Sequence, residues 1–551
     1  MALDLVQLAG TICLLWSVGI FCVQLIGISQ LFRNYSKNPR PPISTTLPNN
    51  EVPHVTVIRP VKGIEAGLYE CITSIFKQDY PVNKLSIRLC VAEKSDPAYP
   101  ILCRIATQFS EFDVQVLVEE EDPVLHGVNG NINHLGPNPK IRNISRAYRE
   151  APGDLIWIAD CNVWVGPGVT GRMVDKLMGF RAGGERGPQY KFVHQLPLLV
   201  DIEKPLSSTA ESLKPLLAAA NGSKTASSYP SSYINEQAWF RRVWANGGGR
   251  LDEMFMATTH SKFYSAINTV AVAPCIVGKS NMFRKSQLDM LTDPAQNPQL
   301  HSQGKYNRPT GIDYFSMFIC EDHLIGDTFW RANIPGFLNH GMCLGDLAIQ
   351  PASAMTVSAY MARRARWLRA RKWTVLAATL IEPGVESLLC CGAFSYAATT
   401  LPWFAKHLGI PPTGTAQLYI WLSLLFGWML CDYLNFSMLH SGDSVEIDHD
   451  TPVWARGTRR PGGHVRRGFG DWLFAWIGRE LLALPVWTYA VLLGTTVNWR
   501  GKLFRVRMDM SVVELEKQCL SSEFKSSHAG SGTRTPQMEM GRPGSSSSRA
   551  D

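Results

Sequence analysis

The chain has 551 residues, 54 Lys and Arg against 46 Asp and Glu, a net charge of +8 and 45% apolar residues. That length exceeds what one ordinary core organises, so one large domain plus separately stabilised segments is expected. The modest positive charge is concentrated near apolar segments, which suits a surface facing anionic lipid headgroups and leaves no footprint for nucleic acid.

From Leu8 to Phe32 there are 25 consecutive residues without a charge, enough at about 1.5 Å rise per residue to cross a hydrocarbon layer of roughly 30 Å. The run is too long for the apolar core of a cleaved signal peptide, and only Asp4 precedes it, where such a peptide carries basic residues. Residues 1–33 are therefore expected to form a transmembrane anchor. Arg33, Lys37 and Arg40 follow immediately, so the positive-inside rule places the downstream chain in the cytosol. A Pro- and Asn-containing linker is expected over 34–50.

Between 51 and 373 short apolar runs alternate with helical patterns, the signature of an α/β domain. Strands are expected at His54–Ile58, Ser86–Ala92, Val114–Val118 and Leu155–Ala159, with a crossover helix over Tyr69–Lys77. The Ser-, Ala-, Asn- and Gly-rich stretch 201–249 reads as an insertion. Three more apolar blocks (Thr374–Phe404, Thr415–Leu439 and Asp471–Trp499) predict about three membrane helices within 374–507. Glu382, Glu386, Asp432, Arg479 and Glu480 interrupt them. Ionisable groups there face a protein interior, a cavity or the interface, and Asp432 and Arg479–Glu480 either line a lipid entrance or pair with each other.

The loop 440–470, with Arg456, Arg459, Arg460, Arg466 and Arg467, and the segment with Arg500, Lys502, Arg505 and Arg507 both ask for the cytosol. A single crossing between them satisfies only one. Residues 508–551 are expected to be largely disordered. The 13 cysteines are scattered without metal spacing, which fits free thiols in a reducing compartment.

Acidic residues recur at the ends of apolar runs: Glu93 with Asp96 after Leu89-Cys-Val-Ala, Asp160 after Leu155-Ile-Trp-Ile-Ala, and Glu321-Asp322 after Phe318-Ile-Cys. Ligands of open α/β sheets bind outside the carboxyl ends of the strands, so these carboxylates are expected to share one crevice. Arg363, Arg366 and Trp367 stand at i, i+3 and i+4 and share one face of a helix.

In that order the motifs resemble the inverting glycosyltransferases of the cellulose, chitin and hyaluronan synthase superfamily, and within it the ceramide glucosyltransferases. The stretches that carry the likeness are Arg59-Pro-Val-Lys-Gly63, Leu89-Cys-Val with Asp96-Pro-Ala98, Asn138-Pro-Lys-Ile-Arg-Asn143, Asp154 to Asp160, Phe192-Val-His194-Gln-Leu-Pro197, Met282-Phe-Arg-Lys285, Glu321-Asp322 and Arg363 to Trp367. The resemblance implies a GT-A-type nucleotide-sugar transferase domain with one N-terminal and about three C-terminal membrane helices.

It further implies transfer of glucose from UDP-glucose to ceramide at the cytosolic face of the Golgi or endoplasmic reticulum membrane. Glu93 stands where the family has an aspartate contacting the nucleotide, with Asp96 sharing that work. Asp160 holds Mg²⁺ or Mn²⁺ against the diphosphate. Asp322 is the general base, supported by Glu321. Arg363 and Arg366 clamp the diphosphate and Trp367 lies near the acceptor or nucleotide. Arg59 and Lys62 add to nucleotide binding, and His194 lies near the donor sugar. The alternative is a processive polysaccharide synthase, or a transferase using another sugar or lipid acceptor.

Overall fold

The computed structural model describes residues 2–202, 244–302, 308–465, 467–499 and 501–515. Most of the expected insertion, Arg466, Arg500 and 516–551 lie outside the described residues.

A long first helix, α1 (Ala2–Tyr35), leads into the domain. The segment after it is tied down rather than loose: the backbone N–H groups of Ile43 and Ser44 donate to the Asp175 carboxylate at 2.6 and 2.7 Å. Seven strands follow as one sheet: β1 (Val55–Pro60), β2 (Leu85–Val91), β3 (Asp113–Val118), β4 (Leu155–Ala159), β5 (Gln189–Ile202), β6 (Ser280–Arg284) and β7 (Phe337–Ser353). Their order is β3-β2-β1-β4-β6-β5-β7. The pairings β1–β2, β1–β4, β2–β3 and β5–β7 are parallel, and β6 runs antiparallel to both β4 and β5.

Side-chain alternation explains why β4 folds as a central strand. In β4, Leu155, Trp157 and Ala159 enter one buried cluster, while Ile156 and Ile158 enter the cluster on the opposite face. The crossover helix expected over Tyr69–Lys77 is shorter, Leu68–Thr73.

Nine helices carry the argument, of which α1 is the first. The others are α2 (Pro139–Arg149), α3 (Gly248–Phe255), α4 (Ser261–Val270), α5 (Glu321–Arg331), α6 (Val357–Arg371), α7 (Ser387–Thr400), α8 (Gly414–Leu439) and α9 (Phe469–Trp487). The insertion's edges are thus structured, because Asp201 and Ile202 finish β5 and Gly248 begins α3.

Among the described residues two helices are long and apolar enough to cross a membrane, Leu5–Tyr35 and Gly414–Leu439, or three if Leu376–Val385 and Ser387–Thr400, bent by 71°, form one span. The third expected C-terminal block divides differently. It becomes α9, a π-turn over Thr488–Leu492 and the strand β8 (Thr496–Trp499). The inner face of α9 holds Trp472, Trp476, Arg479 and Glu480, while Phe474, Leu481 and Leu484 are exposed.

Both flanks of α9 rest on the α/β domain. Before it, Arg467 pairs with Asp201 at 3.0 Å and Glu253 at 3.3 Å. After it, Arg369 donates to the Thr496 carbonyl at 2.9 Å. The loop between α8 and α9 docks there too, with Arg172 against Glu446 at 2.8 Å. The segment expected to be disordered from 508 begins as a strand, because β10 (Val512–Leu515) pairs with β9 (Lys502–Val506), which pairs with β8. Ser511 bridges to Phe318, next to the acidic pair Glu321-Asp322.

Candidate functional site

Because β6 runs antiparallel to β4, the residue before β6 arrives at the carboxyl end of β4. Ala159 faces Ser280, and the Asp160 amide donates to the Lys279 carbonyl at 3.0 Å. The Lys279 ammonium returns to Asp160 Oδ2 at 2.9 Å. From the other side, Lys140 in the first turn of α2 reaches Asp160 Oδ1 at 3.0 Å and Glu321 Oε1 at 3.3 Å. Asn138 caps α2 through its side-chain oxygen and donates its amide to Glu321 Oε2 at 3.0 Å. One lysine and one asparagine thereby lock Glu321, in the first turn of α5, to the strand-end carboxylate.

Asp322 follows on the same turn. Its Oδ1 accepts from the His323 amide at 2.9 Å, and its Oδ2 lies so close to Gly278 that a Cβ there would stand 2.5 Å away. Glu321 and Asp322 do not end a strand as expected. Gly311–Met317 is a 3-10 turn, Phe318 makes only an isolated bridge, and the carboxylates open a helix.

The electrostatics follow from this crowding. Burial opposes ionisation of Asp160, but the Lys140 and Lys279 ammonium groups outweigh it and hold the carboxyl well below the usual range. Lys140 is raised in return: burial works against its charge, and Asp160, Glu321 and Asp322 more than offset that. Burial pushes Glu321 up, with Lys140 opposing.

The other expected residues distribute unevenly. Lys62 and Glu93 are exposed on loops at the same sheet edge. Asp96 is buried and turned to the backbone, accepting from the Gly63 amide at 3.0 Å and the Ala98 amide at 2.8 Å, so it shapes the loop that carries Lys62. Arg59 is fully buried, its guanidinium donating to the carbonyls of Cys71 and Val163 at 2.9 and 2.8 Å. β1 extends through Pro60, and this register turns Arg59 into the core. His194, on β5, is also fully buried, with Nδ1 2.5 Å from the Tyr264 hydroxyl. Burial, His340 and Lys176 together keep it neutral.

On α6, Arg363 pairs with Asp252 at 2.9 Å and lies 4.7 Å over the Trp367 ring. Arg366 and Trp367 are partly buried on the same helix. Arg371, one turn further along α6, carries a charge that bears on Cys320 and, together with Arg331, on His323, the residues that flank Glu321 and Asp322.

Among the described residues no group of three or more His, Cys, Asp or Glu is arranged to hold a metal by itself. A single strand-end carboxylate does suit a hard cation that shares its remaining positions with water and substrate phosphates. Asp160 is such a carboxylate, with a side chain 22% exposed.

The profile of glycosyl transferase family 21 matches residues 19–213 and 303–512. The chain belongs to glycosyl transferase family 21. It is 55% identical to a ceramide glucosyltransferase of Pyricularia oryzae over 93% of this chain and 96% of that one. Its identity to the ceramide glucosyltransferase of Gibberella zeae is 50%, over 97% of each. Its fold is similar, at a TM-score of 0.34 and 14% identity over 77% of this chain and 98% of the other, to a mannosyltransferase from Pyrobaculum calidifontis in complex with GDP-Man and Mn²⁺.

Three residues of this family-21 glycosyltransferase's site escaped the sequence reading. Lys140 and Asn138 lie within a stretch already singled out, Asn138 to Asn143, and the Asn-Pro pair at a helix start was a legible cap signal. Lys279 carried no local signal, since its part depends on the β4–β6 pairing.

Proposed function

We propose that the protein transfers glucose from UDP-glucose to the primary hydroxyl of ceramide with inversion, forming β-glucosylceramide and UDP. The carboxylate cluster of Asp160, Glu321 and Asp322 around Lys140 at the sheet's carboxyl edge is the observation that carries this reading.

In this reading Asp322 accepts the proton of the acceptor hydroxyl as that oxygen attacks the anomeric carbon opposite the leaving diphosphate. Glu321, fixed by Lys140 and Asn138, keeps the first turn of α5 in place and so keeps Asp322 at its reacting position. Asp160 would hold Mg²⁺ or Mn²⁺, which when bound neutralises charge on the departing diphosphate. Lys279 supplies positive charge at the same edge, and in this reading Arg363 and Arg366 clamp the diphosphate while Trp367 lies near the acceptor or nucleotide. Lys62 and Glu93 face the nucleotide, whereas Arg59, Asp96 and His194 act by shaping the loops and the floor beneath it.

The catalytic domain faces the cytosol of a Golgi or endoplasmic reticulum membrane. α1, the bent pair and α8 span it. α9 lies at the interface with its apolar face outward, so that both basic segments stay cytosolic.

The test is to incubate purified protein in detergent with ceramide, UDP-glucose and other nucleotide sugars, with and without EDTA, and to identify lipid product and anomer by mass spectrometry and NMR. β-Glucosylceramide that vanishes with EDTA and returns with Mg²⁺ or Mn²⁺ is expected. A polymer, an α-linked product or EDTA-resistant turnover refutes the corresponding part.

A further inference from the structure

α4 ends where Ala271 takes a left-handed conformation, with φ of 57°, and Pro274 follows before any helix can restart. From there the short segment Cys275–Lys279 runs to β6 between the two carboxylate groups of the site. On one side it meets Asp160, through the Lys279 carbonyl and ammonium, and Lys140 donates to the Gly278 carbonyl at 3.4 Å. On the other side it lies against α5 at two places. Gly278 abuts Asp322, and one turn further along α5 a Cβ on Gly326 would run into the buried Ile276 side chain. The position of this segment therefore sets the room left for Asp322.

Two side chains of α4 hold the segment. Tyr264 and Asn268 stand at i and i+4 and share a face of the helix. Asn268 spends its amide on two carbonyls, those of Tyr264 and Cys275, each at 2.9 Å. The Tyr264 hydroxyl, fully enclosed, is hydrogen-bonded by the Val277 backbone amide. A hydroxyl that accepts there has its own proton left to donate, and it gives this to His194 Nδ1 at 2.5 Å. One phenol thereby joins β5, α4 and the segment beside Asp322.

α4 is in turn fixed by the membrane helices. Gly27 of α1 lies so close to the Lys262 carbonyl that a Cβ would not fit. Lys262 pairs with Asp432 of α8 at 2.5 Å, and Asn435 of α8 donates to the Ser261 hydroxyl at 3.0 Å.

We propose that Tyr264 and Asn268 are positioning residues, which hold Cys275–Lys279 against α5 and so fix Asp322 relative to the membrane helices. The assignment rests on the reading of Asp322 as the base. A lipid acceptor brings its hydroxyl to a height set by the bilayer, so the group that meets it gains from being tied to the same helices. A misplacement of about 1 Å at such a group costs on the order of 100-fold in rate.

The test uses full-length protein in nanodiscs and measures amide hydrogen exchange and initial-rate glucosylation on wild type, Tyr264→Phe and Asn268→Ala. In the wild type the Val277 amide, although in a loop, is expected to exchange at least about tenfold more slowly than those of 271–273. Each variant is expected to expose this amide and to lower kcat about tenfold, with the UDP-glucose KM changed by less than about twofold. Added to Gly278→Ala, Tyr264→Phe is expected to lower kcat by less than about threefold more, because both displace one carboxylate. A Val277 amide that exchanges freely in the wild type overturns the proposal. So does a wild-type kcat in a folded variant, or a full tenfold loss on top of Gly278→Ala. If Tyr264→Phe does not fold, Asn268→Ala and the wild-type exchange decide. Wild-type protein that never glucosylates ceramide refutes the functional reading instead.

Discussion

Replacing Gly278 by alanine places a methyl group 2.5 Å from Asp322 Oδ2, 2.7 Å from its Cβ and 2.9 Å from its Cγ. Ordinary carbon contacts lie at about 3.5–4.0 Å, so something must retreat by roughly 1 Å. Gly278 sits on the strand-entry segment fixed by the Asp160–Lys279 backbone bond, and because the Asp322 Cβ itself stands at 2.7 Å, the first turn of α5 must shift and carry the carboxylate with it. Over-packing of this kind costs about 1–3 kcal/mol of stability. A displacement of about 1 Å at a reacting group costs on the order of 100-fold in rate, equivalent to about 2.7 kcal/mol. Gly278→Ala is therefore expected to lower kcat by about two orders of magnitude with little change in the KM for UDP-glucose. The assay is initial-rate glucosylation of a fluorescent ceramide, with thermal unfolding in parallel. In an Asp322→Asn background the same substitution is expected to add almost nothing, because both act on one carboxylate. A kcat within threefold of wild type in a folded Gly278→Ala, or full additivity with Asp322→Asn, refutes the reasoning.

Lys140→Met leaves Asp160 and the buried Glu321 facing each other without their shared ammonium. Losing one member of a buried pair costs about 3–5 kcal/mol, so a lower unfolding temperature and loss of turnover are expected, and Glu321→Gln should restore part of the stability but not the activity. His260 and His340 are held down by burial, to about 3 and about 4. The unfolded chain binds their protons below about pH 6.5 while the folded one does not, so their stabilisation is complete above that pH and is lost as pH falls toward 4, at about 1.4 kcal/mol per unit per group. Unfolding temperature against pH should show this slope, and His260→Gln should make it shallower by about one proton. If α9 does not cross, epitope tags in the loop 440–470 and after residue 515 are both cut by protease added outside sealed microsomes; protection of either one contradicts the assignment.

The α/β character of the domain was legible because strand and helix periodicity are local. A run such as Leu155–Ala159 declares its two buried faces within five residues, the alternation of Val114–Val118 marks an edge strand with one face turned outward, and a carboxylate one residue beyond such a run lands on the binding edge, as Asp160 does. The same local logic misplaced Phe318-Ile-Cys, since three apolar residues carry no period and there form an isolated bridge and a bend just before the helix.

What chain order cannot contain, the tertiary structure decided. Asp160 and Lys279 are 119 residues apart and meet only because β6 runs against β4. Arg59 looked like a ligand until the β1 register turned it inward. The ionisable residues of the last apolar blocks announced their cost in lipid, but not their partners. Arg479 and Glu386 meet through the packing of α9 against the bent helices, and that pairing lets α9 turn an apolar face outward while both of its ends return to the catalytic domain. Burial preference is a property of neighbouring residues, whereas charge compensation across elements depends on which of them fold together.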